Sequence, residues 1–396
     1  MAKLELADID VTDKHVLVRV DFNVPIQDGK ITDETRITAA LPTLLDLLHR
    51  NAKIILITHL GRPKIGLNED NREFSTEPIA TALNQKLGIR IKHVDDCIGE
   101  SVQKAVDLLE NSEILLLENV RFYAEETNND PNFAKQLAAL ADVYVNDAFG
   151  TAHRAHASTE GVTHYLNTCA AGLLMAREIH YLSMSIEDPA RPYVAILGGA
   201  KISDKITLIE NLLDKVDHLL IGGGMAYTFL AAMGVPIGNS LVETEKLDVA
   251  ASLIKKEGFS DKVSLPIDHI TGREFDPDTE TQVVDEPAIP DGWQGLDIGP
   301  KTVAAFGERI QASKTVVWNG PLGVYEFEKF AQGTIEIARQ IADSQTVSII
   351  GGGDCVAAIQ QAGVADRITH VSTGGGASLE FLEGKPLPGI TALTDK

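Results

Sequence analysis

VLVRVDFN (residues 16–23) and VAILGGAK (194–201) are the two stretches that decide the fold class of this 396-residue chain. Each opens as a short, β-rich apolar run of the length of a buried strand. The first then breaks into charged and polar groups, the second into glycine. The pattern recurs outward from both. IILITHLGRP (54–63), ILLLENVRF (114–122) and VYVNDAFGTAHRAH (143–156) end like the first; LLIGGGMA (219–226), VVWNGPLG (316–323), SIIGGGDC (348–355) and HVSTGGGAS (370–378) end like the second. Segments with helical spacing lie between them, as Ala39–Leu48 does between Val16–Val20 and Ile54–Ile57. This alternation predicts βα units and parallel sheets throughout. Ligands of such sheets sit at the carboxyl ends of the strands. Arg and His at those ends suit a small anion, whereas glycine lets the backbone approach a phosphate or a flat ring. The first half is therefore expected to take a small acid and the second a nucleotide, a pairing that points to group transfer.

Length and composition agree. Single cores stop growing at about 250–300 residues, so 396 residues favour two domains. The formal charge of -22 argues against non-specific binding to nucleic acid or to an anionic membrane. It also requires local Arg/Lys clusters, and a divalent cation, to draw in an anionic substrate. Cys97, Cys169 and Cys355 are far apart and form no CxxC, so neither a disulfide framework nor a zinc site is expected. MAKLELADID lacks an apolar signal region and no apolar run is long enough to span a bilayer, which predicts a cytoplasmic protein without a membrane partner. The expected boundary is Gly172–Pro192. There Leu173, Leu174, Ile179, Leu182 and Ile186 suggest an amphipathic helix, stopped by Pro189 and Pro192, that would serve as a hinge. The Pro-punctuated tail GKPLPGITALTDK (384–396) fits either domain.

Four strand ends of the first half carry candidate chemistry: Asp21-Phe22-Asn23 with Arg36, His59-Leu60-Gly61-Arg62, Arg121, and His153-Arg154-Ala155-His156. Arginine's rigid fork binds carboxylate and phosphate bidentately, and Asp21 and Asn23 suit a substrate hydroxyl. Any one of these alone reads as a surface residue or ion-pair partner; four strand ends repeating the pattern do not. In the second half, Gly198-Gly199-Ala200-Lys201 is expected to lead a helix with Ser203 and Asp204 in its first turn. Ile202, Ile206, Ile209 and Leu213 would form its apolar stripe. Lys201 and Lys205 would then share a face, where like charges cost about 0.2–0.5 kcal/mol that a bound anion relieves. Two solvated lysines beside Asp204 are an equal alternative. Gly222–Gly224, Gly351–Asp354 and Thr373–Ser378 read as glycine-led helix starts offering N–H groups to phosphate. Asp354 suits either Mg²⁺ or a helix N-cap. Trp318-Asn319-Gly320-Pro321 with Glu326 reads as a base and ribose pocket or as a tight turn around a buried Trp.

Several motifs are missing. The Gly-Lys pairs ending at Lys30 and Lys385 are followed by Ile and Pro, so there is no P-loop, and GxGxxG, GxSxG and HExxH do not occur. What does occur is VRVDFNVP (18–25), DETRITAALPT (33–43), THLGRPK (58–64), LLLENVRF (115–122), YVNDAFGTAHRAHAST (144–159), LGGAKISDKI (197–206), IGGGMAYTF (221–229), VVWNGPLGVYE (316–326), IIGGGDC (349–355) and HVSTGGGASLEFLEGKPLPG (370–389). In this order, from end to end, they resemble phosphoglycerate kinase.

That resemblance implies an α/β fold of two Rossmann-like, doubly wound parallel-sheet lobes joined by a hinge helix. Residues 1–172 would form the phosphoglycerate-binding lobe, with the tail 380–396 packing back on it, 173–188 the linker helix and 189–379 the nucleotide lobe. By match to the family's motifs, Asp21, Phe22, Asn23, Arg36, His59, Leu60, Gly61, Arg62, Arg121 and Arg154 would hold 3-phosphoglycerate or 1,3-bisphosphoglycerate. Gly199, Ala200, Lys201, Lys205, Gly223, Gly299, Asn319, Pro321, Glu326, Gly352, Gly353, Asp354 and Cys355 would hold ADP or ATP, with Asp354 on Mg²⁺. Arg36, Lys201, Lys205, Gly353 and Gly376 would be catalytic, in a monomer that moves a phosphoryl group in line after closure. Cys355 stands where Ser or Thr is expected. A thiol is a poorer donor to phosphate, but the backbone N–H survives, so activity is expected to persist. Leu322 and Tyr325 look like conservative changes. Two other classes compete. Asp21-x-Asn23 suits a haloacid-dehalogenase-like phosphatase, although that chemistry wants a second carboxylate at 23. A nucleotide-sensing module without turnover would need no Arg36–Lys201–Asp354 set.

Overall fold

The strand ends fall where the alternation places them, in a computed structural model that describes residues 2–66 and 69–396. The chain divides into two units, one running to His180 and joined by Pro386–Lys396, the other Tyr181–Lys385.

The first unit holds β1 (His15–Arg19), β2 (Ile26–Gln27), β3 (Lys30–Ile31), β4 (Lys53–Ile57), β5 (Ile91–His93), β6 (Ile114–Leu116), β7 (Val143–Asn146) and β8 (Cys169–Ala171). Six of them form a parallel sheet in the order β5-β6-β4-β1-β7-β8, and β2 pairs β3 in a small antiparallel ladder. The chain leaves β1 toward β4 on one side and later returns to β7 on the other, so the winding reverses between β1 and β7. Register sets Arg19 opposite Ile57 and Asn146, which brings the residues following β1, β4 and β7 to one edge. Helices cover both faces, which is why these strands are apolar on both sides. The helix Thr35–His49, for example, buries Ile37, Ala40, Leu44 and Leu47 at three- and four-residue spacing. The tail belongs to this unit. Lys3 Nζ donates to the Thr391 and Leu393 carbonyls at 2.8 Å, and Asn146 Nδ2 to the Gly389 carbonyl at 3.0 Å.

The second unit holds β9 (Tyr193–Leu197), β10 (His218–Ile221), β11 (Val263–Ser264), β12 (His269–Gly272), β13 (Thr281–Val284), β14 (Gln294–Ile298), β15 (Thr315–Asn319), β16 (Val347–Gly351) and β17 (His370–Val371). Its parallel sheet runs β11-β10-β9-β15-β16-β17 and reverses between β9 and β15. Each unit is thus a doubly wound sheet whose switch point adjoins the residues described below. Parallel sheets throughout were expected, and here the structure departs: β13-β12-β14 form an antiparallel sheet. β13 keeps one side, Thr281 and Val283, exposed, an option open to antiparallel strands and closed to strands covered by helices.

Two helices also differ from expectation. The helix Leu173–Glu187 forms, but it buries Met175 and Leu182 while Leu173 is 37% exposed. Its phase is set at the start, where Asp147 Oδ1 accepts the N–H groups of Leu174 (2.9 Å) and Met175 (3.1 Å). In the glycine–lysine segment the helix begins only at Ile206 and buries Leu208, Ile209, Leu212 and Leu213. Residues 203–205 form a turn ahead of that helix, so Lys201 and Lys205 share no helical face and Ser203 and Asp204 precede its first turn. Glu243 causes this by accepting the Ser203 N–H (3.0 Å) and hydroxyl (2.7 Å). Among the described residues, no helix is long and apolar enough to cross a membrane.

Candidate functional site

In the first unit the switch point between β1 and β7 gathers cations around one carboxylate. Arg36 donates to Asp21 Oδ2 at 2.7 Å, and Asp21 is largely shielded from solvent. Such a half-exposed pair adds about 0–1 kcal/mol of stability, so its effect is to aim the guanidinium. Asn23 Oδ1 accepts the Gly61 N–H at 2.8 Å, which leaves the Asn23 amide nitrogen as a donor without a protein partner among the described residues. Arg121 donates to the Gly61 carbonyl at 2.7 Å and keeps a buried Nε that no protein group accepts from. Burial, then Arg154 and Arg19, lower the Arg121 pKa to about 10; Glu126 and Asp21 pull the other way. His59 is 3% exposed, and burial, followed by Arg19, Arg121, Arg154 and Arg36, holds its pKa well below the usual range. His156 is lowered to about 4, first by burial and then by Arg121, Arg19 and Arg154. Crowded guanidiniums raise one another's energy, and a small polyanion relieves all of them at once. This pocket of positive potential sits within a chain of net charge -22.

Not every expected residue faces this site with its side chain. Phe22 is fully buried in the core, and its N–H donates to Thr58 Oγ1 at 3.0 Å. Leu60 is buried too, with its N–H and carbonyl both taken by Asn119. Gly61 is required where it stands: its φ is +60°, and a Cβ would lie 2.4 Å from the Phe74 ring. Arg62 is exposed, and Arg154 donates through Nε to His153 Nε2 at 3.1 Å. Sequence reasoning missed Arg19, Ser158 and Glu126, all buried and bonded to one another beneath the site. A single arginine within the apolar run VLVRV was the signal for Arg19.

In the second unit, backbone meets backbone at the switch point. The Gly198 N–H donates to the Asn319 carbonyl (3.0 Å), Gly199 to Pro321 (2.8 Å) and Gly223 to Leu322 (3.0 Å). A Cβ on Gly198 would lie 2.1 Å from the Pro321 oxygen, and one on Gly320 2.2 Å from the Gly198 oxygen. Beside this close approach opens a cavity of about 470 Å³ lined by Gly199, Ala200, Gly223, Pro321, Glu326 and Asp354, with Tyr227, Leu241, Phe275, Leu296 and Val324 as an apolar wall. Glycine backbone on one side and an apolar wall on the other suit a flat ring carrying phosphates. Lys205 donates to Asn319 Oδ1; burial lowers its pKa, which Cys355, Asp204, Glu383 and Asp354 partly offset. Lys201 is exposed at the turn held by Glu243. The helices Gly353–Gln361 and Gly376–Leu382 both start after a glycine with positive φ, Gly352 (+94°) and Gly375 (+51°).

Four expectations change here. Asp354 is not the N-cap, a place taken by Gly352; it sits exposed in the first turn and lines the cavity beside Tyr325. Trp318 is fully buried in the core with Nε1 donating to the Gly320 carbonyl at 2.8 Å, so it belongs to the turn and not to the cavity. Cys355 is buried in the same core, and burial pushes its thiol well up. Gly299 lies outside the cavity lining, with the Asp268 carboxylate in its Cβ position. Gly295 lines the cavity instead, where a Cβ would collide with the Tyr227 hydroxyl. Among the described residues no three His, Cys, Asp or Glu groups cluster as a metal site. A hard cation here would rest on Asp354 and on ligand phosphate oxygens, the mode usual for Mg²⁺.

A family model described as phosphoglycerate kinase matches residues 6–385. The phosphoglycerate kinase of Moorella thermoacetica is 55% identical over 399 residues, covering 100% of both chains. That of Clostridium botulinum is 53% identical over 399 residues, covering 100% of this chain and 99% of the relative. Among solved structures, the phosphoglycerate kinase of Coxiella burnetii is similar with a TM-score of 0.90 at 42% identity over 98% of each chain. The enzyme from Pyrococcus horikoshii follows with 0.84 and 33% over the same shares.

Proposed function

The chain belongs to the phosphoglycerate kinase family, and from that premise we propose how its residues divide the reversible transfer of a phosphoryl group between 1,3-bisphosphoglycerate and ADP. The single observation that carries the division is the pairing of an arginine-rich anion pocket at one switch point with a glycine-lined cavity at the other. The phosphoglycerate rests in the first unit, where Arg36, Arg62, Arg121 and Arg154 meet its charges and Asp21 and Asn23 its hydroxyl. The nucleotide rests in the second, its base against Leu241, Leu296 and Val324, its ribose hydroxyls toward Glu326. Its phosphates face Gly199, Gly223, Lys205 and the helix starts at Gly352–Gly353 and Gly376. Asp354 would hold Mg²⁺, which when bound offsets phosphate charge during transfer.

In the direction of ATP synthesis, an oxygen of the ADP β-phosphate attacks the acyl phosphorus, and the bond to the carboxyl oxygen breaks to leave a carboxylate. In reverse that carboxylate is already ionised, so no general base is needed and positioning with charge stabilisation suffices. Arg36 approaches the moving group from the first unit and Lys201 from the second. The ligands sit on separate units, so transfer requires a closure that brings them in line and excludes water. The protein acts as a cytoplasmic monomer.

ADP release from MgATP should depend strictly on 3-phosphoglycerate when a coupled reductase removes the acyl phosphate. ATP loss without it would mean a hydrolase, and nucleotide binding without turnover a sensor. Lys201→Ala should lower kcat about 10²–10³-fold, as loss of one transition-state donor does. Nucleotide affinity should change far less. A large loss of affinity at normal kcat would remove Lys201 from this role.

A further inference from the structure

Below the anion pocket runs a chain of polar groups buried from solvent. Arg19, at the end of β1, is 1% exposed, and a guanidinium so placed must be fully paired. Its Nε donates to Ser158 Oγ at 2.8 Å and its NH1 to the Val20 carbonyl, while NH2 stands 3.1 Å from His59 Nδ1. Ser158 in turn donates through Oγ to Glu126 Oε1 (2.6 Å) and through its N–H to Oε2 (2.9 Å). Glu126 and Ser158 are both fully buried. A carboxylate therefore holds a hydroxyl, the hydroxyl a guanidinium, and the guanidinium an imidazole.

A guanidinium has donors only. The ring atom it meets must therefore present a lone pair, so Nδ1 carries no proton. Asp21 Oδ1, the nearest carboxylate oxygen, is 4.0 Å from Nδ1, too far to claim a proton there. Burial and the four surrounding guanidiniums keep the ring neutral. Its one proton is then on Nε2, which has no protein hydrogen-bond partner among the described residues. We propose that Arg19 is a positioning residue that locks His59 in the Nε2–H tautomer, so that the ring offers an anionic substrate a donor and never a lone pair. The other tautomer would turn an acceptor toward a carboxylate or phosphate oxygen and repel it. The inference rests on reading this pocket as the phosphoglycerate site.

Two-bond ¹H–¹⁵N correlation spectra of the ligand-free full chain with labelled histidine read the tautomer directly, with the His59 signals assigned by their loss in His59→Gln. An unprotonated-type Nδ1 beside a protonated-type Nε2 is expected; a protonated Nδ1 or an averaged pair would overturn the lock. Arg19→Lys keeps the charge, but one ammonium cannot span Ser158, Val20 and His59. Averaged His59 signals are expected, with the KM for 3-phosphoglycerate raised about tenfold, the worth of one charge-assisted hydrogen bond. The KM for nucleotide should stay within about twofold, since the two ligands share no residue. An unchanged tautomer in a folded Arg19→Lys would overturn the role of Arg19, and should that variant fail to fold, the wild-type spectrum decides alone. A locked ring in a protein that does not turn over phosphoglycerate would sink the functional reading and keep the lock; turnover with an unlocked ring would do the reverse.

Discussion

Asp297 lies on β14 wholly out of solvent, its oxygens accepting the N–H groups of Ile298 (2.9 Å) and Gly333 (2.7 Å). Burial outweighs those bonds and raises its pKa from 3.8 to about 8. Between those values the folded protein keeps a proton that the unfolded chain has lost, so stability falls as pH rises through this window. The slope is at most about 1.4 kcal/mol per pH unit. Asp297→Asn removes that titration. Trp293 and Trp318, the two tryptophans, both lie in the second unit, so their fluorescence in urea reports its unfolding. The wild-type midpoint should drop more steeply than the variant's from pH 5 to pH 8; parallel curves would show that the acid does not titrate there. Cysteine chemistry is equally constrained. All three thiols are buried, and burial pushes each one up, Cys169 to about 12. A thiol reagent near neutral pH should find none of them promptly in the native protein and all three after denaturation, since only thiolates react. A fast native reaction would contradict the burial of Cys355 in particular.

At the scale of elements, glycine separates two jobs that look alike in the sequence. Gly198 and Gly320 let the segments that follow the paired strands β9 and β15 approach closely at the switch point, with carbonyls in the space of absent side chains. Gly353 opens a helix with nothing within 4 Å of its Cβ position. Gly198→Ala should therefore cost about 1–3 kcal/mol of stability, as overpacking does. Gly353→Ala should leave stability within about 0.5 kcal/mol and weaken nucleotide binding, because its methyl would occupy the approach of a phosphate. Thermal denaturation beside nucleotide titration distinguishes them. Unchanged affinity in Gly353→Ala would take that helix start out of the site.

At the scale of the whole molecule, the chain's last segment completes its first unit. Leu387, Ile390 and Leu393 of Pro386–Lys396 are buried there. Burying each such side chain is worth about 1.5–3 kcal/mol, a large part of a domain's 5–15 kcal/mol. Deleting Pro386–Lys396 should make the first unit melt early. Far-UV circular dichroism would then show a phase ahead of the tryptophan transition, which reports only the second unit. Superimposed transitions would mean that the tail is dispensable to its unit.

The central strands of both parallel sheets were legible in the sequence alone, because a strand covered on both faces is apolar along most of its length, as VLVRV, IILI, VAIL and SII are. The place proposed for ligand chemistry followed from this, since what comes after a parallel strand is by geometry at the sheet's carboxyl edge. Which of those residues meet was decided only by tertiary structure. Strand order and register bring Arg19 under His59, Gly295 into the cavity in place of Gly299, and Glu243 onto the turn that stops Lys201 and Lys205 from sharing a helix. Periodicity also failed to set the phase of the helix Leu173–Glu187, because Asp147, 26 residues before its first residue, captures its opening N–H groups. Local pattern encodes how a segment buries its own apolar face. Partners distant in the chain are chosen by where the folded sheets place them, and no local signal carries that information.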